Sequence, residues 1–448
     1  MSRVLFLGLD GVGRDLATHL AARGVMPHLG RLLALAPAWE TVSPLPEVSP
    51  VCWTSLFSGQ GPAAHGIFGF AHPVPGSWAI QPVDSTLVAA PRLWNLASAA
   101  GLRSVVLNVP LTYPAEPLHG SLVAGFVTPD LARGVYPPEL LPRLLALGYR
   151  PEADLDTGRD DPGALAADLE CALEVRLTLF EQMLSENWNL YVAVVTDTDR
   201  VNHFLWPALW DDAHPLAGPA RRVYALVDEF LGRVWQKVAP QVESGEITFL
   251  IAADHAFGPI RSEVYLNRWL AQEGYLLYEG QPPHERILPA TRALALDPGR
   301  IYLNYAGRFP GGWLTPGREA GRLLESLAAG LSALRFSRVE IGPDGPRLTE
   351  EAPIARVHLG RDLYPGAASA AAPDLVAEAA PGYSLRGGLD KAGVFGLSHL
   401  TGTHRPRGGL AWGLPAPGER PARVEGLGRL AARALGLDLP GEAKKITL

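Results

Sequence analysis

Residues 4–9, 104–109, 190–196 and 248–253 are apolar runs with almost no alternation. Runs this short, closed by acidic or turn-forming residues, fit strands buried on both faces, as in a parallel sheet. The stretches between them have helical spacing. Residues 15–23 and 27–36 make two short helices. Residues 162–186 carry Leu165, Leu169, Ala172, Leu173, Leu177 and Phe180 on one stripe, and residues 221–238 carry Val223, Leu226, Val227, Phe230, Leu231 and Val234 on another. Strands alternating with helices predict an α/β fold, with a central, mostly parallel sheet sandwiched by helices. After Asp254 the pattern changes to Gly- and Pro-rich turns, a group of tyrosines (Tyr275, Tyr278, Tyr302, Tyr305) and a helix over 317–334. A strand over 409–413 and a helix over 423–435 then return to the first pattern. The expected organisation is a catalytic core of residues 1–262 and 386–448, interrupted by an inserted smaller cap of residues 263–385.

Composition narrows the function. The chain has 448 residues, 47% hydrophobic, and a net charge of −7. It is too apolar for disorder, and it lacks the basic balance of a nucleic-acid binder. Two cysteines, Cys52 and Cys171, cannot build a disulfide framework or a Cys-rich zinc site, so a reducing, cytoplasmic setting is expected. Asp10 closes the first apolar run, which reads as a strand and not as a signal peptide. No stretch of about 20 apolar residues lacks charges or turn residues, so no membrane span and no membrane partner is expected.

Ligands of open α/β sheets gather at the carboxyl ends of the strands. Those ends hold Leu9-Asp10-Gly11, then Asp197-Thr198-Asp199-Arg200-Val201-Asn202-His203, then Asp254-His255. Gly402-Thr403-His404 lies just before the last strand. Three Asp and three His at one sheet edge suit two divalent metals, with oxygen and imidazole donors that favour zinc or manganese. Each piece alone has a plainer reading. Asp10 fits a turn, His404 fits a structural role, and Asp197 competes with Asp199, although only Asp199 and His203 share a helix face at i, i+4. Ser49-Pro50, ten residues before Gly59, reads as the cap and first residue of a helix of two to three turns. Ser49 then stands at the positive helix end, as a plain N-cap or as a nucleophile beside a bound phosphate.

In this order, together with Trp53-Thr54-Ser55, Ser58-Gly59, His65-Gly66-Ile67, Asn108-Val109-Pro110 and Pro373-Asp374-Leu375, the motifs resemble the alkaline phosphatase superfamily. Within it they resemble the type I phosphodiesterase/nucleotide pyrophosphatase family. The resemblance spans residues 10 to 404 and implies an alkaline phosphatase-like fold. It also implies one metal on Asp10, Asp254 and His255 that touches Ser49, and a second on Asp199, His203 and His404. Ser49 would be the nucleophile, forming a phosphoseryl intermediate, and His65-Gly66-Ile67 a structural turn. The implied activity is a two-metal phosphodiesterase acting on a small phosphorylated substrate. A phosphomonoesterase or phosphate-transferring mutase of the same superfamily is the alternative, and a binding protein that kept the fold is a third reading.

Two departures bear on the substrate. The nucleotide pyrophosphatase branch commonly has Thr where Ser49 stands, and an Asn soon after His-Gly-Ile. Here Phe68-Gly69-Phe70 follows, with Asn95 the next Asn and Asn108 a possible substitute. The C-x-P-x-R motif of sulfatases is absent at Cys52, which reads as a small buried residue.

Overall fold

In the computed structural model, which describes residues 3–280, 286–342, 345–366 and 371–440, β1 (Arg3–Leu9) separates two apolar layers. Val4 and Phe6 enter one layer, and Leu5, Leu7 and Leu9 enter the other. A strand with both faces buried cannot slip by one residue without exchanging the layers, so its register is fixed by its sequence. Each such side chain contributes about 2 kcal/mol on burial.

Seven more strands join β1: β2 (Trp39–Val42), β3 (Ser104–Val109), β4 (Gly120–Ala124), β5 (Val135–Tyr136), β6 (Leu190–Val195), β7 (Ile247–Ala252) and β8 (Arg407–Leu414). Their order in the sheet is β2-β8-β7-β1-β6-β3-β4-β5. The five central strands, β7, β1, β6, β3 and β4, are parallel. β8 and β2 add antiparallel on one side and β5 on the other. The fold is thus the mostly parallel, helix-flanked sheet expected from the sequence. The register places Leu9 opposite Val195 and Gly8 opposite Ala252, so β1, β6 and β7 end level with one another.

One layer is covered by α1 (Arg14–Ala22), α2 (Pro27–Leu35), the 23-residue α4 (Pro162–Leu184), α5 (Asp197–Trp210) and α6 (Ala217–Glu243). The other is covered by α3 (Ser49–Ser58) and α7 (Val424–Ala434). α4 begins where local chemistry directs it. Asp161 accepts a hydrogen bond from the Ala164 N–H at 2.9 Å, and Pro162 fills the first turn. α3 is buried along its whole length and ends at Gly59, whose φ of +67° suits glycine. Its start departs from the expectation. Val48, not Ser49, is the N-cap, and Ser49 is already helical, so its hydroxyl is not spent on capping. Gly402–Arg405, expected just before a strand, is itself a short strand.

The chain divides into two compact units. Of the described residues, one holds 3–67, 84–257 and 399–440. The other holds residues 68–83 and 258–398. The second unit is built on an antiparallel sheet of Ala293–Leu296, Arg300–Leu303, Leu375–Ala379 and Ile354–Leu359, in that order. The helix Arg318–Ala333 turns Ala320, Leu323, Leu327 and Leu331 inward. Tyr302 and Trp269 are buried in this core, and Asp374 binds both the Leu303 N–H, at 2.7 Å, and Arg308. Among the described residues no helix is long and apolar enough to cross a membrane.

Candidate metal centre

The level ends of β1, β6 and β7 bring the acidic residues together. Asp10 follows β1, Asp254 and His255 follow β7, and Asp199 and His203 lie one turn apart on α5, which starts two residues after β6. His404 arrives on the strand Gly402–Arg405. The result is two groups of three. One ligand atom each from Asp10, Asp254 and His255 lie within 4.8 Å of one another, and so do those of Asp199, His203 and His404. The groups adjoin, since the His255 and His404 rings lie with centroids 3.9 Å apart, tilted by 31°.

The imidazoles are all set the same way. His404 Nδ1 lies 2.7 Å from the Glu47 carbonyl, His203 Nδ1 3.0 Å from the Gly402 carbonyl, and His255 Nδ1 3.3 Å from the Ala256 carbonyl. A carbonyl only accepts, so each Nδ1 carries the proton and each Nε2 presents a lone pair. This is the usual arrangement of a metal-binding histidine. The His203 and His404 Nε2 atoms then face each other at 3.0 Å. Two lone pairs at that distance repel unless a cation lies within reach of both.

The carboxylates show the complementary pattern, with one oxygen restrained and one turned to the group. Asp254 Oδ1 accepts from the Gly11 N–H at 3.2 Å, and Asp199 Oδ2 accepts from Arg200 at 2.7 Å. Asp254 Oδ2 and Asp199 Oδ1, like His255 Nε2, are buried without a hydrogen-bond partner. Asp10 Oδ2 accepts from the Trp53 indole N–H at 2.9 Å, and its Oδ1 accepts from the Ser49 hydroxyl at 3.2 Å. Burial first, and then the charge of Asp199, pushes the Asp10 carboxyl up to about 7. Burial and the charge of Asp10 raise Asp254 likewise. Burial would also raise Asp199, but the positive charge of the Arg200 guanidinium on its Oδ2 opposes this. Burial holds His203 down at about 3 and His255 well below its ordinary value, so both stay neutral. Crowded carboxylates, neutral imidazoles with outward lone pairs and orphaned buried oxygens together fit divalent cations.

The structure separates the two rival aspartates. Asp197, the first residue of α5, is buried in an ion pair with Arg176 from α4 and does not join either group. His65 is buried; its Nδ1 accepts from the Ile67 N–H at 3.2 Å, so its Nε2–H donates to Ser55 Oγ, 2.8 Å away. Asn95 accepts from the Arg92 N–H at the start of its own helix. Asn108 sits at φ +56° and donates to the Val194 carbonyl at 2.9 Å and to Thr196 Oγ1 at 3.2 Å. Both are thus engaged in holding the backbone.

Four residues whose contacts sequence reasoning did not foresee shape the centre. Trp53 orients Asp10, and Gly8 makes room for it, because a Cβ there would come within 2.5 Å of the indole. Phe257 packs its ring against His203, His404 and His255, at centroid distances of 4.8, 4.9 and 5.6 Å. Gly11, at φ +70°, passes so close that a Cβ would lie 2.6 Å from the Phe257 ring. Only a periodicity shared between segments far apart in the chain could have revealed these contacts.

Comparison with known proteins supplies the family and the fold. A family model described as type I phosphodiesterase / nucleotide pyrophosphatase matches residues 4–407. No curated protein matches the chain by sequence. Among solved structures, phosphonoacetate hydrolase from Sinorhizobium meliloti 1021, in complex with phosphonoformate, is similar at 14% identity and a TM-score of 0.63, over 97% of this chain and 96% of that one. Murine ectonucleotide pyrophosphatase / phosphodiesterase 5 is similar at 13% identity and a TM-score of 0.56, over 99% and 98%. The human form is similar at 13% and 0.53, over 99% and 97%.

Proposed function

Because the chain belongs to the type I phosphodiesterase/nucleotide pyrophosphatase family and so to the phosphoester hydrolases, we propose that it cleaves phosphodiesters with two divalent cations and a covalent intermediate on Ser49. The observation that carries this reading is the pairing of two three-donor groups with a helix-end hydroxyl on Asp10. Asp10, Asp254 and His255 would hold one cation, and Asp199, His203 and His404 the other. Zinc suits the mixed imidazole and carboxylate donors, with manganese the next choice. When bound, the cations supply positive charge that lowers the pKa of the Ser49 hydroxyl and of water and that offsets the charge on the phosphoryl oxygens.

Ser49 is fixed at the first turn of α3, where the positive end of the helix dipole favours an anionic phosphoryl group. Its Oγ loses its proton to solvent and attacks phosphorus. The Oγ–P bond forms as the bond to the leaving oxygen breaks. The leaving oxygen takes a proton from solvent, and the adduct on Ser49 keeps the substrate's other ester group. Water then attacks this seryl phosphodiester, the Oγ–P bond breaks, a phosphomonoester is released, and Ser49 regains a proton. Asp10 steers Oγ through the 3.2 Å contact, and Trp53 keeps Asp10 from turning away.

Charge favours a diester over a monoester. Three carboxylates against two divalent cations leave one net positive charge. Arg200 is committed to Asp199 and Glu152, and the Glu152 charge offsets its own. Arg405 is paired with Asp15, and Arg308, in the second unit, is paired with Asp374. A dianionic monoester, or a mutase that must retain a phosphorylated intermediate, calls for a cation less committed than these.

The test is Ser49→Ala. It should abolish turnover of an aryl phosphodiester, assayed with Zn²⁺ and Mn²⁺ separately, while leaving about two metals per chain. Acid-quenched wild type should yield a phosphorylated Ser49 peptide. Undiminished turnover by the variant refutes the nucleophile, and a chain that takes up no metal refutes the whole reading.

A further inference from the structure

Arg200 follows Asp199 on α5 and turns back against it. Its Nη1 donates to Asp199 Oδ2 at 2.7 Å, and its Nε donates to Glu152 Oε1 at 2.6 Å. The guanidinium carbon lies 4.3 Å from the centroid of the Phe126 ring, and only 12% of the side chain is exposed. Two carboxylates and an aromatic face thus fix this cation on three sides.

A carboxylate can grip a metal with one oxygen or with both. Asp199 has Oδ2 engaged by Arg200, which leaves Oδ1 beside His404 Nε2 at 3.3 Å. The other two aspartates are restrained by neutral donors, the Trp53 indole and Ser49 hydroxyl on Asp10 and the Gly11 N–H on Asp254. Only the Asp199 group is restrained by a full positive charge.

We propose that Arg200, locked by Glu152 and Phe126, is a positioning residue that confines Asp199 to one-oxygen ligation and weakens the Asp199–His203–His404 group for its cation, so that a coordination position stays free for a substrate oxygen. This rests on the two-cation reading above. The guanidinium withdraws charge from the Asp199 carboxylate and stands beside the cation it holds, and both effects oppose binding. Glu152 acts in the opposite sense by offsetting the guanidinium. Removing Arg200 therefore tightens the group, and removing the Glu152 charge loosens it. A residue serving only to hold the fold would give losses in both cases.

The experiment is calorimetric titration of the full chain with Mn²⁺ after dialysis against a chelator. Wild type should take two ions with unequal affinity. Arg200→Met, which keeps a long side chain over Phe126, should raise the weaker affinity roughly tenfold while lowering kcat on an aryl diester. Glu152→Gln should lower the weaker affinity about threefold. Weaker or unchanged binding by a folded Arg200→Met variant overturns the inference. If that variant fails to fold, unchanged or tighter binding by Glu152→Gln overturns it. Wild type taking fewer than two ions removes the two-cation reading itself, whereas two ions with the wrong signs in the variants removes only the role of Arg200.

Discussion

His65 gives a prediction whose size follows from its surroundings. The ring is fully buried, its Nδ1 accepts from the Ile67 N–H, and its Nε2–H donates to Ser55 on α3. Burial pushes its pKa down to about 3 from the usual 6.5. The folded state therefore prefers the neutral ring, and the unfolded chain takes up the proton first. The stability held in this preference is complete above pH 6.5 and is lost as pH falls from 6.5 toward 3. The full difference amounts to about 5 kcal/mol, and about 2 kcal/mol of it should disappear between pH 7 and pH 5. His65→Gln keeps a donor toward Ser55 but cannot titrate. Urea denaturation of both proteins in EDTA, at pH 7 and pH 5, isolates the effect, because the remaining histidines are common to both. Wild type should lose about 2 kcal/mol more than the variant over that interval. Equal losses, or a His65 resonance titrating near pH 6 in the folded protein, would refute the reasoning.

Other perturbations read the centre itself. Trp53→Phe removes one hydrogen bond to a buried carboxylate, so metal affinity by equilibrium dialysis should fall and stability should drop by about 2 kcal/mol. Gly11→Ala forces a side chain toward Phe257 at positive φ, and both metal content and diester turnover should drop at least tenfold. Asp197→Asn breaks the buried pair with Arg176 and should cost about 3 to 5 kcal/mol in denaturation while the metal count stays at two. Asp199→Asn should instead lower the metal count, and equal metal loss in both would undo the distinction between these aspartates.

The legible parts of this molecule were those decided by local pattern. The buried strands could be read because both of their faces are apolar, and their bounds lie within a residue or so of the expectation. Asp10, Asp199, His203, Asp254, His255 and His404 stood out because parallel strands in register finish at one edge, which the order of the runs already implies. The short edge strand β2 was not visible, since four residues of partial alternation carry little signal. Nor was the pairing of Asp197, because Arg176 lies 21 residues away on another helix. Ser49 was misplaced by one position at the helix start, where a capping serine and a serine already inside the helix look alike. Trp53, Phe257 and Arg200 escaped for a related reason. Each acts by direction, and direction is set by packing against segments remote in the chain.

The span of the centre has a consequence for how the protein is made. The Asp10, Asp254 and His255 group is complete once residue 255 has been synthesised, whereas the other group waits for residue 404. A chain emerging from the ribosome thus has its first set of donors well before β8 exists to close the sheet, and its second only when the C-terminal strands arrive. A fragment that stops short of residue 404 lacks His404, and so can assemble the first donor group but not the second.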